Sequence, residues 1–277
     1  MLETRPPFRL ICHWKRLFLD GPQRLWKNPN TLRIIVAGPP KTGNVWIKCL
    51  LAEIYHLEIL DKPPCTDVEF SSAVKEGWFK DGAIFHQHLG PTPLLLETTS
   101  GLNCSLVTII RNPYDTFISL YYFVQNFPQQ FANSSDPLHR ISGKPIDHPD
   151  IYAFLRDVSG GFGIHILSAK KWKDSDRSII LRYEDLSADP VRVLGEVAAQ
   201  IRSEDEPALR SAVETCSLQN MRKQFKQNCK HIRKGKVGDW RVDLDPEHLD
   251  AIKTHANWIE DLGYEAYEPE IADKTRG

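Results

Sequence analysis

The segment from Leu32 to Trp46 constrains this chain more than any other, because an apolar run, a glycine-proline loop and the start of an amphipathic helix follow without interruption. Leu32-Arg33-Ile34-Ile35-Val36-Ala37 reads as a strand buried on both faces of a parallel sheet. Gly38-Pro39-Pro40 stops it. From Asn44 to His56 the residues Ile47, Leu50, Leu51, Ile54 and Tyr55 then recur at helical spacing. A loop so placed lies at the carboxyl edge of a sheet, where backbone N–H groups and a helix N-terminus make an anion site.

The pattern repeats further on. Ala83 to Phe85 reads as a short strand ending at His86-Gln87-His88, and Ser105 to Ile110 as another, followed by Arg111-Asn112-Pro113. Pro113 suits the first turn of a helix running to about Val124. Ser178 to Tyr183 is a further strand, ending at Glu184-Asp185, with a helix from about Pro190. Strand-loop-helix units in series predict an α/β fold, a single domain with a central parallel sheet flanked by helices, and 277 residues suffice to cover both faces. Residues 31–265 are assigned to that domain, 1–30 to an N-terminal arm and 266–277 to a tail. Between Asn126 and Asp150 Pro, Ser, Asn and His occur without period, which predicts a lid loop over 126–150. Beyond Ile201 the chain reads as helical, interrupted by a basic segment from Lys230 to Arg241. A final helix is expected over Pro246 to Leu262, with Leu249, Ile252, Ala256 and Ile259 facing the core.

Composition removes several function classes. A formal charge of -1 gives no global basic field, so no nucleic-acid partner is expected. Six cysteines (Cys12, Cys49, Cys65, Cys104, Cys216 and Cys229) are scattered with no C-x-x-C, which argues for reduced thiols in a cytoplasmic protein and against a structural zinc. Leu10 to Leu19 is apolar but broken by His13, Lys15 and Arg16. It reads as a short amphipathic arm, with no stable membrane insertion expected.

The loop Gly38-Pro39-Pro40-Lys41-Thr42-Gly43-Asn44-Val45-Trp46 nearly matches a nucleotide-triphosphate loop, since Gly38 and Gly43 have the right gap. Asn44-Val45 then stand where Lys and Ser/Thr belong, so the hydroxyl that anchors a Mg²⁺-nucleotide is missing. Lys41 sits inside the loop instead. Residue chemistry alone leaves a phosphate-binding loop of another kind open. The loop resembles that of the sulfotransferase family, approximately Pro-Lys-Ser/Thr-Gly-Thr-x-Trp, through Pro40, Lys41, Thr42, Gly43 and Trp46, with Asn44 replacing the commoner Thr. Arg111-Asn112-Pro113-Tyr114-Asp115 with Ser119 resembles the family's 3'-phosphate site, although Arg111 could instead pair with Asp115. Arg233-Lys234-Gly235-Lys236-Val237-Gly238-Asp239-Trp240-Arg241 resembles its Arg-Lys-Gly-x-x-Gly-Asp-Trp-Lys signature. The resemblance runs from Leu32 to Arg241 and implies a P-loop-like sulfotransferase fold.

It also implies a co-substrate, 3'-phosphoadenosine-5'-phosphosulfate (PAPS), with adenosine 3',5'-bisphosphate (PAP) as product and no metal required. Lys41, Thr42, Gly43, Asn44, Val45 and Trp46 would hold the 5'-phosphosulfate end. Arg111, Ser119, Arg233, Lys234 and Gly235 would hold the 3'-phosphate. Trp46, Tyr183 and the Ser217-Leu218 segment fall where the family contacts adenine, with Leu218 standing where a Phe is usual. The family's general base lies in a Lys-Thr-His-Leu-like segment, and His88-Leu89 matches it, 23 residues before Arg111. His86 replaces the usual Lys. His86 and His88 lie two apart and should point the same way, a pairing that also leaves a metal open, though no third ligand is evident. The implied activity is sulfuryl transfer to a hydroxyl or amine of an acceptor, a small molecule by the Phe and Pro content of 123–150, with His88, Lys41 and Ser119 as catalytic residues. A nucleotide kinase and a non-catalytic nucleotide-binding relative are the rivals. The family's dimer segment, Lys-x-x-x-Thr-Val-x-x-x-Glu, is not matched, because Arg241 is followed by Val242-Asp243-Leu244-Asp245-Pro246 and Asp250.

Overall fold

The computed structural model describes residues 31–132, 136–225 and 234–267. The expected arm over 1–30 with Cys12, and also Cys229, Arg233 and residues 268–277, lie outside the described residues. Five parallel strands form one sheet: β1 (Arg33–Ala37), β2 (Glu58–Ile59), β3 (Ala83–Gln87), β4 (Cys104–Ile110) and β5 (Ile179–Arg182), in the spatial order β2-β3-β1-β4-β5. After β1 comes α1 (Asn44–Tyr55); α2 (Asp67–Lys75) joins β2 to β3, and α3 (Pro93–Ser100) joins β3 to β4. Between β4 and β5 run α4 (Pro113–Asn126), α5 (Pro128–Phe131), α6 (Pro149–Arg156) and α7 (Gly163–Asp174). Beyond β5 lie α8 (Tyr183–Ala188), α9 (Pro190–Ile201), α10 (Glu206–Thr215), α11 (Leu218–Phe225), α12 (Trp240–Asp243), α13 (Pro246–Lys253) and α14 (Ala256–Asp261).

The alternation of side chains along β1 sorts the core into two layers. Ile34 and Val36 pack with Ile47, Leu50, Leu51 and Ile54 of α1 and with Val193, Leu194 and Val197 of α9. Ile35 and Ala37 face the other way, onto Phe70, Phe79, Phe85, Leu95 and Trp172. Full burial on both faces is what the unbroken apolar run demands. Helix starts follow local chemistry: Thr66, Thr92, Asn112, Asp189 and Asp205 each accept a hydrogen bond from a first-turn N–H, and prolines occupy first turns of α3, α4, α9 and α10.

The stretch over 126–150, expected as a lid loop, holds α5 and a 3-10 turn at Pro137–Arg140 among its described residues, with Phe131, Leu138 and Ile141 buried. Gln125 Nε2 donates to Ile141 O and Tyr121 Oη to Lys144 O, so the turns are tied to α4 by side chains. Their apolar residues are too few and too widely spaced to show a period in sequence. The final helix is also broken. It splits at Thr254-His255 into α13 and α14, because the His255 ring leaves the helix face to bond Leu155 O through Nε2 at 2.7 Å and to stack on Trp258. Among the described residues Cys49, Cys65, Cys104 and Cys216 are free thiols, and no helix is long and apolar enough to cross a membrane.

Candidate functional site

The loop after β1 is held open by its own side chains. Thr42 Oγ1 and Asn44 Nδ2 both donate to Pro39 O, at 3.0 and 2.8 Å. Lys41 takes a left-handed backbone, φ 69, a strained state for a residue with a Cβ. Gly43, the N-cap of α1, has φ 114 and no side chain to satisfy the first-turn N–H groups of Asn44, Val45 and Trp46, the kind of helix start that suits an anion. The Lys41 ammonium lies 4.6 Å from the Phe123 ring centroid on α4. Ser119, one turn before Phe123, is half-buried on the same helix.

Tyr183 joins the other segments to this loop. A Cβ at Gly43 would fall 2.8 Å from Tyr183 Cδ2, so only glycine lets the ring cover the helix start. The edge of the ring meets Trp46 at 5.8 Å, and the Arg111 guanidinium lies 4.4 Å from its centroid. Its hydroxyl donates to Gly235 O at 3.0 Å, while Leu218 Cδ2 stands 3.3 Å from a Cβ placed on Gly235. Arg111 donates through one terminal nitrogen to Lys236 O at 2.9 Å and through the other to Lys41 O at 3.4 Å; its buried Nε has no partner. A buried cationic donor left unpaired costs ~1–3 kcal/mol, a cost that an anion in this cleft removes. Asp115 does not pair with Arg111. Its carboxylate accepts from Gly238 N at 2.7 Å and Trp240 N at 3.3 Å, which fixes the basic segment against α4. Lys234 Nζ lies 3.6 Å from Asp239 Oδ2. Ser217 precedes α11 and accepts from Asn220 N at 3.4 Å.

The histidines stand on the β3 side of the loop. His88 Nδ1 lies 2.8 Å from Gly38 O. A carbonyl only accepts, so Nδ1 carries the proton and donates, and the lone pair of the neutral ring is on Nε2. Burial pushes the His88 pKa below the ordinary histidine value, with the Gly38 bond opposing and Lys41 adding to the shift. The His86 and His88 rings meet edge to face at 5.6 Å, as two positions on one strand face require. His86 is lowered further, by burial first, then by Lys48 and His88. His165 on α7 is buried and pushed down to about 3 by desolvation, with His88 contributing. No group of three or more His, Cys, Asp or Glu is placed to hold a metal among the described residues.

Lys41, Thr42, Gly43, Asn44, Val45, Trp46, His88, Arg111, Tyr183, Lys234, Gly235 and Leu218 thus gather at the carboxyl ends of β1, β3, β4 and β5, while Arg233 is outside the described residues. Sequence reasoning did not single out Lys48 or His165, and it named Phe123 only as part of the acceptor-side stretch over 123–150. Lys48 carried a signal, being the charged position on the buried face of α1; His165 carried none, because α7 itself was not expected.

A sulfotransferase-domain family model matches residues 32–263. Cytosolic sulfotransferase 17 of Arabidopsis thaliana is 26% identical over 282 residues, covering 86% of this chain and 78% of its own. Cytosolic sulfotransferase 13 of the same plant is 27% identical, covering 77% and 72%. Among solved structures, a mouse sulfotransferase complexed with PAP superposes with a TM-score of 0.63 at 21% identity, covering 83% of this chain and 88% of that one. A retinol dehydratase in complex with androsterone and PAP gives 0.57 at 15% identity, covering 86% and 82%. With a family model spanning residues 32–263, the whole sheet included, the chain belongs to the sulfotransferase family and is a transferase.

Proposed function

We propose that this enzyme transfers the sulfuryl group of PAPS to a hydroxyl or amine of a small, apolar acceptor. The observation that carries the reading is the meeting of the three basic segments on Tyr183, with the buried Arg111 Nε left without a partner. Thr42, Gly43, Asn44, Val45 and Trp46 present their N–H groups to the 5'-phosphosulfate, and Lys41 adds charge there. Arg111, Ser119 and the Arg233-Lys234-Gly235 segment take the 3'-phosphate, and Trp46, Tyr183, Ser217 and Leu218 border the adenine. PAPS supplies an activated sulfuryl group, and the protein supplies position and charge.

His88 Nε2 accepts the acceptor proton as the acceptor oxygen or nitrogen bonds to sulfur. The bond from sulfur to the bridging oxygen breaks, its electron pair stays on the phosphate, and Lys41 with the loop amides stabilises that charge. The lowered His88 pKa supports this role, since the ring is neutral at pH 7. Lys41 leaving the Phe123 ring for the bridging oxygen would couple this step to α4. Phe127 and Phe131 pack on Phe123 beside Lys41, at 5.4 and 5.8 Å, an apolar wall suited to a phenol or alcohol. The free thiols fit a reducing, cytoplasmic setting.

The test is turnover of PAPS with a panel of phenols and alcohols, following PAP release by the wild type and by His88→Gln. Sulfation that falls ~10²–10⁴-fold in the variant is expected. Unchanged turnover removes His88 as base. Stabilisation by Mg²⁺-ATP in place of PAP would overturn PAPS as the donor.

A further inference from the structure

Glu184 stands outside the three basic segments, and the reaction as described above does not use it. It follows Tyr183, whose ring lies against the Arg111 guanidinium. In the parallel register of β4 and β5, Ile110 pairs with Arg182, so Arg111-Asn112 and Tyr183-Glu184 leave the sheet side by side. Asn112 comes after the last residue of β4 and before the first of α4, where a backbone N–H has no helical acceptor. Glu184 supplies one: its Oε1 accepts from Asn112 N at 2.8 Å. The Asn112 side chain in turn accepts from Tyr114 N at 3.0 Å and Asp115 N at 3.4 Å, which starts α4. Between this anchored amide and the end of β4 stands a single residue, Arg111.

The other oxygen of Glu184 is held from the far end of the described chain. Oε2 accepts from Tyr264 Oη at 2.8 Å. Tyr264 is buried, its ring centroid lies 4.1 Å from the Arg182 guanidinium, and the same guanidinium donates to Gly263 O at 3.0 Å. Burial first, then Glu184, push the Tyr264 hydroxyl far above its ordinary pKa, so the proton stays and the hydroxyl donates. Tyr267 N donates to Tyr114 Oη at 2.9 Å, and the Tyr267 ring meets Trp240 at 5.4 Å. The stretch from Gly263 to Tyr267 is thus fastened to β5 and to the start of α4, and Glu184 carries its hold through to the amide beside Arg111.

We propose that Glu184 is a positioning residue for Arg111, kept in place by Tyr264, so that the end of the chain sets how well the cleft recognises a 3'-phosphate. This rests on PAPS being the donor and on Arg111 facing its 3'-phosphate. A guanidinium takes phosphate oxygens with two parallel N–H bonds, a contact that depends on direction as well as charge. The Tyr183 ring lies against the guanidinium, and the Glu184 bond fixes the backbone that carries it. Without Glu184 the Asn112 amide must turn to find another acceptor, and Arg111 turns with it. Such a fault is felt by a ligand that carries a 3'-phosphate and passes unnoticed by one that lacks it.

The discriminating measurement is calorimetric titration of the full chain with PAP and, separately, with adenosine 5'-phosphate, which lacks the 3'-phosphate. Glu184→Ala removes both acceptors. Glu184→Gln keeps an acceptor for Asn112 N and the reach to Tyr264, and Tyr264→Phe keeps the ring over Arg182 but loses the hydroxyl. Glu184→Ala is expected to weaken PAP binding about tenfold or more and to leave adenosine 5'-phosphate within about twofold. Glu184→Gln is expected to keep PAP within about threefold of the wild type, with Tyr264→Phe between the two. Equal losses for both nucleotides in Glu184→Ala, or no loss for either, would overturn the assignment while the donor site stands. Should Glu184→Ala fail to fold, Tyr264→Phe decides: a loss confined to PAP supports the assignment, and equal or absent losses overturn it. A wild type that binds PAP no better than adenosine 5'-phosphate would overturn the 3'-phosphate reading beneath it, and this inference with it.

Discussion

At the scale of single residues, Gly43 shows how a small sequence choice fixes the site. Its φ of 114 excludes a side chain, and so does the Tyr183 Cδ2 atom, which would lie 2.8 Å from an alanine Cβ at this position. Gly77 has φ 79 and open space around it, so it carries the backbone requirement without the clash. Gly43→Ala is therefore expected to cost more stability than Gly77→Ala, ~2–3 kcal/mol against ~1 kcal/mol in urea unfolding, and to weaken PAP binding, which Gly77→Ala leaves alone. Equal costs would mean that Tyr183 moves away freely. Residues such as Lys41, Arg111 and Gly43 were legible because each needs a particular neighbour in sequence: a glycine for a left-handed turn, a strand end before an arginine, a proline opening a helix. Lys48 was half-legible, as a charge on the buried face of α1.

Among elements, β1, β3, β4, β5, α1 and α4 were expected from the sequence, while β2 and the helices α5 to α7 were not. β1, β4 and α1 declare themselves by burial on both faces or by a clear stripe. β2 has two residues, too few to show a period, and α5 with its neighbouring 3-10 turn is held by side-chain bonds across to α4 that no local pattern encodes. The role of Asp115 belongs here too. Its place in Arg-Asn-Pro-Tyr-Asp suggested a partner for Arg111, but the helix turns it onto the amides of Gly238 and Trp240. Asp115→Ala removes a buried, charge-assisted clamp between α4 and the basic segment. Stability should fall by ~2–4 kcal/mol and PAP affinity with it, whereas Asp115→Asn, which keeps one acceptor, should lose less of both. A loss of stability with PAP affinity unchanged would separate the clamp from the site.

For the whole molecule, the neutral histidines make the fold acid-sensitive. His165 is held down to about 3, and a free histidine titrates near 6.5, so between these values the unfolded chain binds a proton that the folded one refuses. Its contribution is complete above about pH 6.5 and drains away as pH falls toward 3, at about 1.4 kcal/mol per pH unit. His86 and His88 shift in the same direction. Urea midpoints of the wild type and His165→Gln, compared from pH 7 to pH 4, should converge as pH falls; parallel curves would show that His165 already titrates normally. The three segments around Tyr183 have a further consequence. Arg111 and Lys236 are 125 residues apart, and Tyr183 and Gly235 are 52 apart, so no fragment lacking either end of that span can assemble the cleft around Tyr183. Under the proposed function, a nucleotide lying across them would close those loops in the manner of a removable cross-link, and its grip would report whether the last segment has come home. For a nascent chain, competence to bind would be the final event of folding, with its carboxyl-terminal third serving as the latch.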